Sequence, residues 1–320
     1  MSAETTPNLT DHSELKTIRD WLRWAYSRFN EAPLFYGHGF KDSWNEVIFL
    51  VLRALNLPWD IDNEFYDSRV TKIEAKQLYH LIEQRIVTRK PLAYLLNEAW
   101  FCSMPFYVNE KVLIPRSPIA ELIEKNFSPW LKEDVAINHI LDMCCGSGCI
   151  GIACATHYPH AEVDMADISH DALEVSATNI EKHQLQGRVN LIRSDLFSAL
   201  YKPEHNKAAQ PKKYQLIISN PPYVSTEEMT NLPMEYYHEP TLGFVAEEEG
   251  LDIVYKLLQQ SVDFIDDNGL LVMEVGNNQH KLEERYPDVP FTWVPFARGG
   301  YGIFILTAEQ CHTYFGKDKR

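Results

Sequence analysis

Ile140-Leu141-Asp142-Met143-Cys144-Cys145-Gly146-Ser147-Gly148 is the stretch on which the fold turns. An apolar run that reaches a carboxylate predicts a buried strand, and the glycines behind it predict a tight turn opening a helix over Cys149 to Ala155. Gly146 and Gly148 permit positive φ and let a ligand approach the backbone at a helix N-terminus. Asp142 stands where it can accept from a cationic amine.

Working outward, strands and helices alternate. Ala161 to Ile168, Val189 to Arg193, Tyr214 to Ser219, Leu270 to Val275, Phe291 to Val294 and Tyr301 to Leu306 read as strands. Asp171 to Lys182 and Leu251 to Val262 read as helices. Such alternation predicts an α/β fold, a doubly wound and mostly parallel sheet with helices on both faces. Ligands bind beyond the carboxyl ends of the strands in such sheets. Three further strand ends carry suggestive groups. Asp167 lies 25 residues after Asp142, the usual place for a carboxylate that takes both ribose hydroxyls. Ser194-Asp195-Leu196-Phe197 offers a carboxylate for an adenine amino group and a leucine to pack on the ring. Asn220-Pro221-Pro222-Tyr223 follows the apolar run Tyr214 to Ser219. Two prolines stop that strand and stiffen its end, so Asn220 and Tyr223 suit a flat, polar, neutral group. Taken alone, each element has a bland reading: a glycine turn, an Asp helix cap, an Asx turn. A dinucleotide-binding fold would want a third glycine, and Gly151 supplies one, but that reading gives Asn220 to Tyr223 no role.

The first hundred residues read helical. Leu15, Ile18, Trp21, Leu22, Ala25 and Phe29 fall on one helical face. Ser43 with Glu46, and Thr71 with Glu74, have capping-box spacing, the second helix running to Leu55 and the third ending at Pro91. Phe106-Tyr107-Val108 and Val112-Leu113-Ile114, flanking Asn109-Glu110-Lys111, predict a β-hairpin, and a short helix follows Pro118. The organisation is therefore residues 1–97 helical, 98–117 a hairpin linker, and 118–320 the α/β domain. Lys202 to Lys213 reads as a solvated loop.

Charge and composition narrow the partners. The net charge is −15, with no basic stripe beyond Lys212-Lys213 and the tail Lys317 to Arg320. That balance disfavours a direct nucleic-acid substrate and favours a small molecule or a basic protein. Met1 to Asp11 is polar and lacks the apolar core of a signal peptide, and no run is long enough to span a bilayer. Four of the six cysteines crowd into residues 144–154 without zinc-site spacing, so no metal is expected and buried thiols of a reducing cytoplasm are.

With these residues in view, the chain resembles class I S-adenosylmethionine-dependent methyltransferases, and among them the protein-glutamine amide methyltransferases. The likeness spans the helical front, Val112-Leu113-Ile114-Pro115-Arg116, the glycine turn, Asp167, Asp195, Asn220 to Tyr223, His238-Glu239-Pro240, Gly250-Leu251-Asp252 and Gly299-Gly300. Ser117-Pro118-Ile119 and Cys144 depart from the branch that modifies release factors. They look like the sister branch acting on the third large-subunit ribosomal protein. The resemblance implies S-adenosylmethionine as cofactor. Asp142, Cys144, Cys145, Gly146, Ser147 and Gly148 would hold its methionine part, Asp167 the ribose, and Asp195 with Leu196 the adenine. Asn220, Pro221, Pro222 and Tyr223 would receive the glutamine amide, with Asn220, Pro221 and Tyr223 the catalytic set and Asn220 also touching the cofactor, and residues 1–97 would recognise the protein substrate. Phe101 resembles an aromatic that closes over the site, with simple packing as the other reading. Arg116 would touch substrate or pair with a carboxylate. The alternatives are release-factor methylation, amino-methylation of adenine or guanine, and a non-catalytic cofactor-binding scaffold.

Overall fold

The computed structural model describes residues 14–131, 135–201, 211–247 and 250–316. Residues 1–13, 202–210 and 317–320 lie outside the described part, and with them the polar stretch Met1 to Asp11, most of the expected loop and the basic tail. The chain divides into two compact units, Met1–Leu96 and Asn97–Arg320.

The first unit holds α1 (Ile18–Glu31), α2 (Ser43–Ala54), α3 (Lys72–Thr88) and α4 (Leu92–Leu96). Trp21, Leu22, Ala25 and Phe29 of α1 are buried with Val47, Leu50 and Val51 of α2 and Leu78 and Ile82 of α3. Thr71 and Glu74 form the expected capping box. The cap of α2 differs from expectation. Asp42, one residue earlier, accepts from the Asn45 amide, and Ser43 turns inward to donate to Asn30 Oδ1. Glu46 is buried against Arg85, whose guanidinium also donates to the Phe35 carbonyl at 3.0 Å. α3 ends before Pro91, at Arg89, which takes φ +61°.

The second unit opens with β1 (Ala99–Phe101) and β2 (Met104–Phe106), an antiparallel hairpin turning at Cys102 and Ser103, both at positive φ. The hairpin expected over 106–114 is thus displaced toward the N-terminus. Tyr107 to Ile114 form no ladder: the chain turns at Glu110 and Lys111, where the Val112 N–H donates to the Asn109 carbonyl, and side chains satisfy the backbone on either side. Asn179 accepts from the Tyr107 N–H and donates to the Tyr107 carbonyl, Asn97 donates to the Val108 carbonyl, and Glu239 accepts from the Ile114 N–H. Phe106, Val108, Val112 and Ile114 are buried, so the alternation that suggested a strand reports burial without pairing.

After α5 (Ile119–Glu124) come β3 (His139–Met143), α6 (Cys149–His157), β4 (Glu162–Asp167), α7 (His170–Lys182), β5 (Val189–Arg193) and β6 (Tyr214–Ser219). The chain continues with α8 (Thr226–Met229), α9 (Asp252–Ser261), β7 (Ile265–Glu274), α10 (Gln279–Arg285), β8 (Thr292–Trp293), β9 (Ile303–Thr307) and α11 (Ala308–Phe315). The sheet order is β5-β4-β3-β6-β7-β9-β8, parallel through β7, with β9 antiparallel to both its neighbours. Placing a reversed strand between β7 and β8 departs from the 3-2-1-4-5-6 order of dinucleotide-binding folds. Alternate strand residues feed opposite cores: Ile140, Leu216, Ile218 and Val272 on one face, Leu141, Ile217, Leu271 and Phe304 on the other. Burial on both faces explains why the strands read as unbroken apolar runs.

β7 begins five residues before the expected Leu270. Asp266-Asp267-Asn268-Gly269 has turn composition, and Asp266 does accept from the Asn268 amide. The ladder nevertheless continues past it, with a register shift opposite Tyr214 and Leu216. Strand order reverses between β3 and β6, where Met143 pairs with Ser219. That is the position at which a doubly wound sheet opens a binding crevice.

Candidate active site

The β3–α6 turn begins at Cys144, which takes φ +61°, and continues through Gly146 at +54° and Gly148 at +78°. It is braced from three sides. The Cys145 N–H donates to the Ala166 carbonyl, Ser176 Oγ donates to the Gly146 carbonyl, and Asn179 Nδ2 donates to the Ser147 carbonyl. Ser176 and Asn179, both fully buried on α7, carry no sequence motif and were not anticipated. Gly151 has a local reason to be glycine. A Cβ there would sit 2.5 Å from Met165 Sδ and 3.0 Å from Asp142 Oδ2. Its absence lets α6 press onto β3, and the Gly151 N–H donates 2.8 Å to Asp142 Oδ2.

Asp142 is fully buried, and its Oδ1 has no hydrogen-bond partner among the described residues. Burial, opposed by the Gly151 bond and reinforced by the nearby Asp167 charge, pushes its carboxyl up to about 7. A buried, singly satisfied carboxylate at a strand end is a fit for a cationic amine. Asp167 ends β4 and holds two loops at once, accepting from the Gly146 N–H through Oδ2 and the Ser169 N–H through Oδ1, each at 2.9 Å. Burial raises its carboxyl as well. Both oxygens keep a second lone pair for diol hydroxyls. Beside it Ile168 is half exposed. Past β5, Leu196 takes φ +47°, held there by buried Ser194, which donates to the Leu196 carbonyl and accepts from the Ala199 N–H. Asp195 is exposed, and its side chain makes no hydrogen bond among the described residues.

At the end of β6, Ser219 Oγ donates 2.8 Å to the Met143 carbonyl, tying β6 to β3 just before Asn220. The Asn220 side chain is half buried and makes no hydrogen bond among the described residues, nor does the Pro221 carbonyl. Two acceptors at one stiff strand end thus stay available. Tyr223 is anchored: its hydroxyl donates 2.8 Å to Glu274 Oε1, and its carbonyl accepts from Asn278 Nδ2 at 2.6 Å. Burial, and next the Glu274 charge, push the phenol well above its ordinary range, so it remains a neutral donor.

Two further candidates have their contacts taken up by neighbouring residues. Arg116 pairs with buried Glu239 at 3.0 Å and lies over the rings of Tyr236 and Phe244, so its charge is already engaged. Phe101 is buried edge-on to Phe106, in the same apolar cluster as Cys145 and Cys149. The exposed hairpin ring is its neighbour Trp100. Cys145, Cys149, Cys154 and Cys311 are buried free thiols, and burial raises all four. An exposed cluster of His170, Asp171 and Glu174 holds Lys111 Nζ between its two carboxylates, at 2.8 and 2.9 Å.

The arrangement therefore offers an amine-accepting carboxylate, a glycine turn and a diol-accepting carboxylate on one side of the crevice, and two free acceptors with an anchored ring on the other. The model of the methyltransferase small domain matches residues 126–236. The ribosomal protein uL3 glutamine methyltransferase of Francisella tularensis subsp. tularensis (strain SCHU S4 / Schu 4) is 43% identical over 302 residues, covering 94% of this chain and 93% of that protein. Its counterpart from Neisseria gonorrhoeae (strain ATCC 700825 / FA 1090) is 43% identical over 297 residues, covering 93% and 96%.

Proposed function

From its membership of the family of ribosomal protein uL3 glutamine methyltransferases, we infer that this chain methylates the side-chain amide nitrogen of a glutamine in uL3, with S-adenosylmethionine as donor. The observation that carries the reading is the pairing, across the β3/β6 switch point, of an orphaned buried carboxylate oxygen at Asp142 with the free acceptors of Asn220 and Pro221. Asp142 would take the donor's ammonium, residues 144–148 its methionine backbone, and Asp167 its ribose. Asp195, Leu196 and half-exposed Ile168 would take the base. The donor supplies an electrophilic methyl on a sulfonium.

The chain's own residues must make a poor nucleophile reactive. An amide nitrogen is weak because its lone pair is delocalised into the carbonyl. Asn220 Oδ1 and the Pro221 carbonyl accept its two N–H bonds, and the Tyr223 ring lies along the amide plane. The nitrogen is thereby oriented, and the two acceptors strengthen as positive charge develops on it. No base is needed before transfer, and the proton leaves to water afterwards. Residues 1–97 recognise the protein substrate. A −15 surface draws in a basic ribosomal protein. The activity belongs in the cytoplasm, where ribosomal proteins are made; no helix among the described residues is long and apolar enough to cross a membrane.

The test is purified uL3 with the enzyme and labelled donor, followed by tandem mass spectrometry. One methyl on a glutamine amide nitrogen is expected. Labelling of a release factor in preference to uL3 would overturn the substrate assignment.

A further inference from the structure

Glu274 has no part in the chemistry just described, yet it is buried at the end of β7, beside the end of β6. One of its oxygens accepts from the Tyr223 hydroxyl and the other from Ser117 Oγ, residues 106 apart in the chain. The strand's continuation supports the same tyrosine. Gly276, at φ +53°, stands so close that a Cβ would lie 2.5 Å from Tyr223 Cε2, and Asn278 holds the tyrosine carbonyl. The two prolines fix the backbone ahead of Tyr223, but they do not fix the tilt of its ring. The hydroxyl tether and the glycine shelf bear directly on that tilt. The tether is strong because a neutral phenol donates to a carboxylate whose remaining oxygen Ser117 occupies.

We propose that Glu274 is the positioning residue of the acceptor cradle: with Ser117 on its second oxygen, it sets the tilt of the Tyr223 ring against the planar amide. It touches neither donor nor acceptor and acts through Tyr223. The proposal rests on the functional reading above and adds to it the group that makes the cradle rigid. Misorienting an amide within a bound complex costs turnover more than binding, so its loss belongs in kcat.

The experiment is a double-mutant cycle on the full chain with uL3. Tyr223→Phe keeps the ring and cuts the tether; kcat should fall about tenfold with KM changed less than about threefold. Calorimetric affinity for S-adenosylmethionine should be unaltered. Glu274→Ala should cost as much as Tyr223→Phe, and the double variant no more than either. Glu274→Gln retains both the volume and an acceptor for the phenol and should recover part of kcat. Glu274→Met, which restores volume alone, should not, whereas a merely space-filling role would require that it did. If Glu274→Ala fails to fold, Glu274→Met fills the volume without an acceptor and takes its place. Turnover of Tyr223→Phe within twofold of the parent, or losses that multiply in the double variant, would overturn the proposal. An inactive parent enzyme on uL3 would instead overturn the functional reading. In that event the unfolding midpoints of the same four proteins still decide the tether, additive shifts refuting it.

Discussion

Changing the charge of Asp142 separates cofactor binding from stability, because the two respond in opposite directions. The carboxyl is fully buried with one oxygen unpartnered, and its folded pKa is about 7. A bound ammonium requires the carboxylate, so the apparent dissociation constant scales as one plus the ratio of proton concentration to the acid constant. That factor is about 2 at pH 7 and about 11 at pH 6, so S-adenosylmethionine should bind about fivefold more weakly at pH 6. At pH 7 binding should release about half a proton, read by calorimetry in two buffers of different ionisation enthalpy. The sign for stability is the reverse. A carboxyl whose folded pKa lies above its unfolded value of 3.8 binds more protons when folded. The cofactor-free protein therefore loses stability as pH rises from about 4 to about 7, by up to about 4 kcal/mol. Asp142→Asn removes both effects. It should weaken cofactor binding by about thirtyfold or more, the cost of stripping one partner from a buried charge pair. It should also abolish the pH dependence between 6 and 7, and raise the melting temperature of the cofactor-free protein at pH 8. A wild-type affinity flat from pH 7 to 6, or a pH dependence surviving in Asp142→Asn, would refute the assignment of the amine to this carboxylate.

Other variants probe the remaining parts. Asn220→Ala should abolish turnover while leaving S-adenosylmethionine affinity within about threefold by calorimetry, since Asn220 belongs to the acceptor side; near-normal turnover would show that another group holds the amide. Gly151→Ala should destabilise by about 1–3 kcal/mol in urea unfolding, because the new methyl meets Met165 and Asp142 at 2.5 and 3.0 Å. In the first unit, Glu46→Ala leaves the Arg85 charge buried and should cost about 3–5 kcal/mol. Turnover of uL3 at low substrate should weaken as salt rises, and a kcat/KM indifferent to salt would remove electrostatic steering from the account.

The strand ends on which the proposed site rests could be read before the fold was known, for a physical reason. In a parallel sheet ligands bind where strands end, and strand ends are local events: an apolar run, then the candidates Asp142, Asp167, Asp195 or Asn220. The supports of those groups were not legible because their partners are distant. Asn179 serves a backbone 72 residues away, Glu274 a tyrosine 51 residues away, and Asn278 the same tyrosine across 55. A buried Asn or Glu at the end of an apolar element gives no periodic signal of what it will meet. The misplaced hairpin has the same origin. Alternation over 106–114 reported real burial, but Asn179, Asn97 and Glu239 took the backbone bonds that a neighbouring strand would have taken. The shift of the α2 cap from Ser43 to Asp42 follows from Asn30, which recruits the serine hydroxyl inward.

The most direct test of the whole account asks which macromolecule receives the methyl. Enzyme and labelled S-adenosylmethionine are added to an extract from cells lacking the endogenous activity, and the label is followed through separated protein and nucleic acid. The account predicts a single labelled protein, uL3, bearing the methyl on a glutamine side chain. Label in RNA or DNA, or in a protein residue other than glutamine, would contradict it.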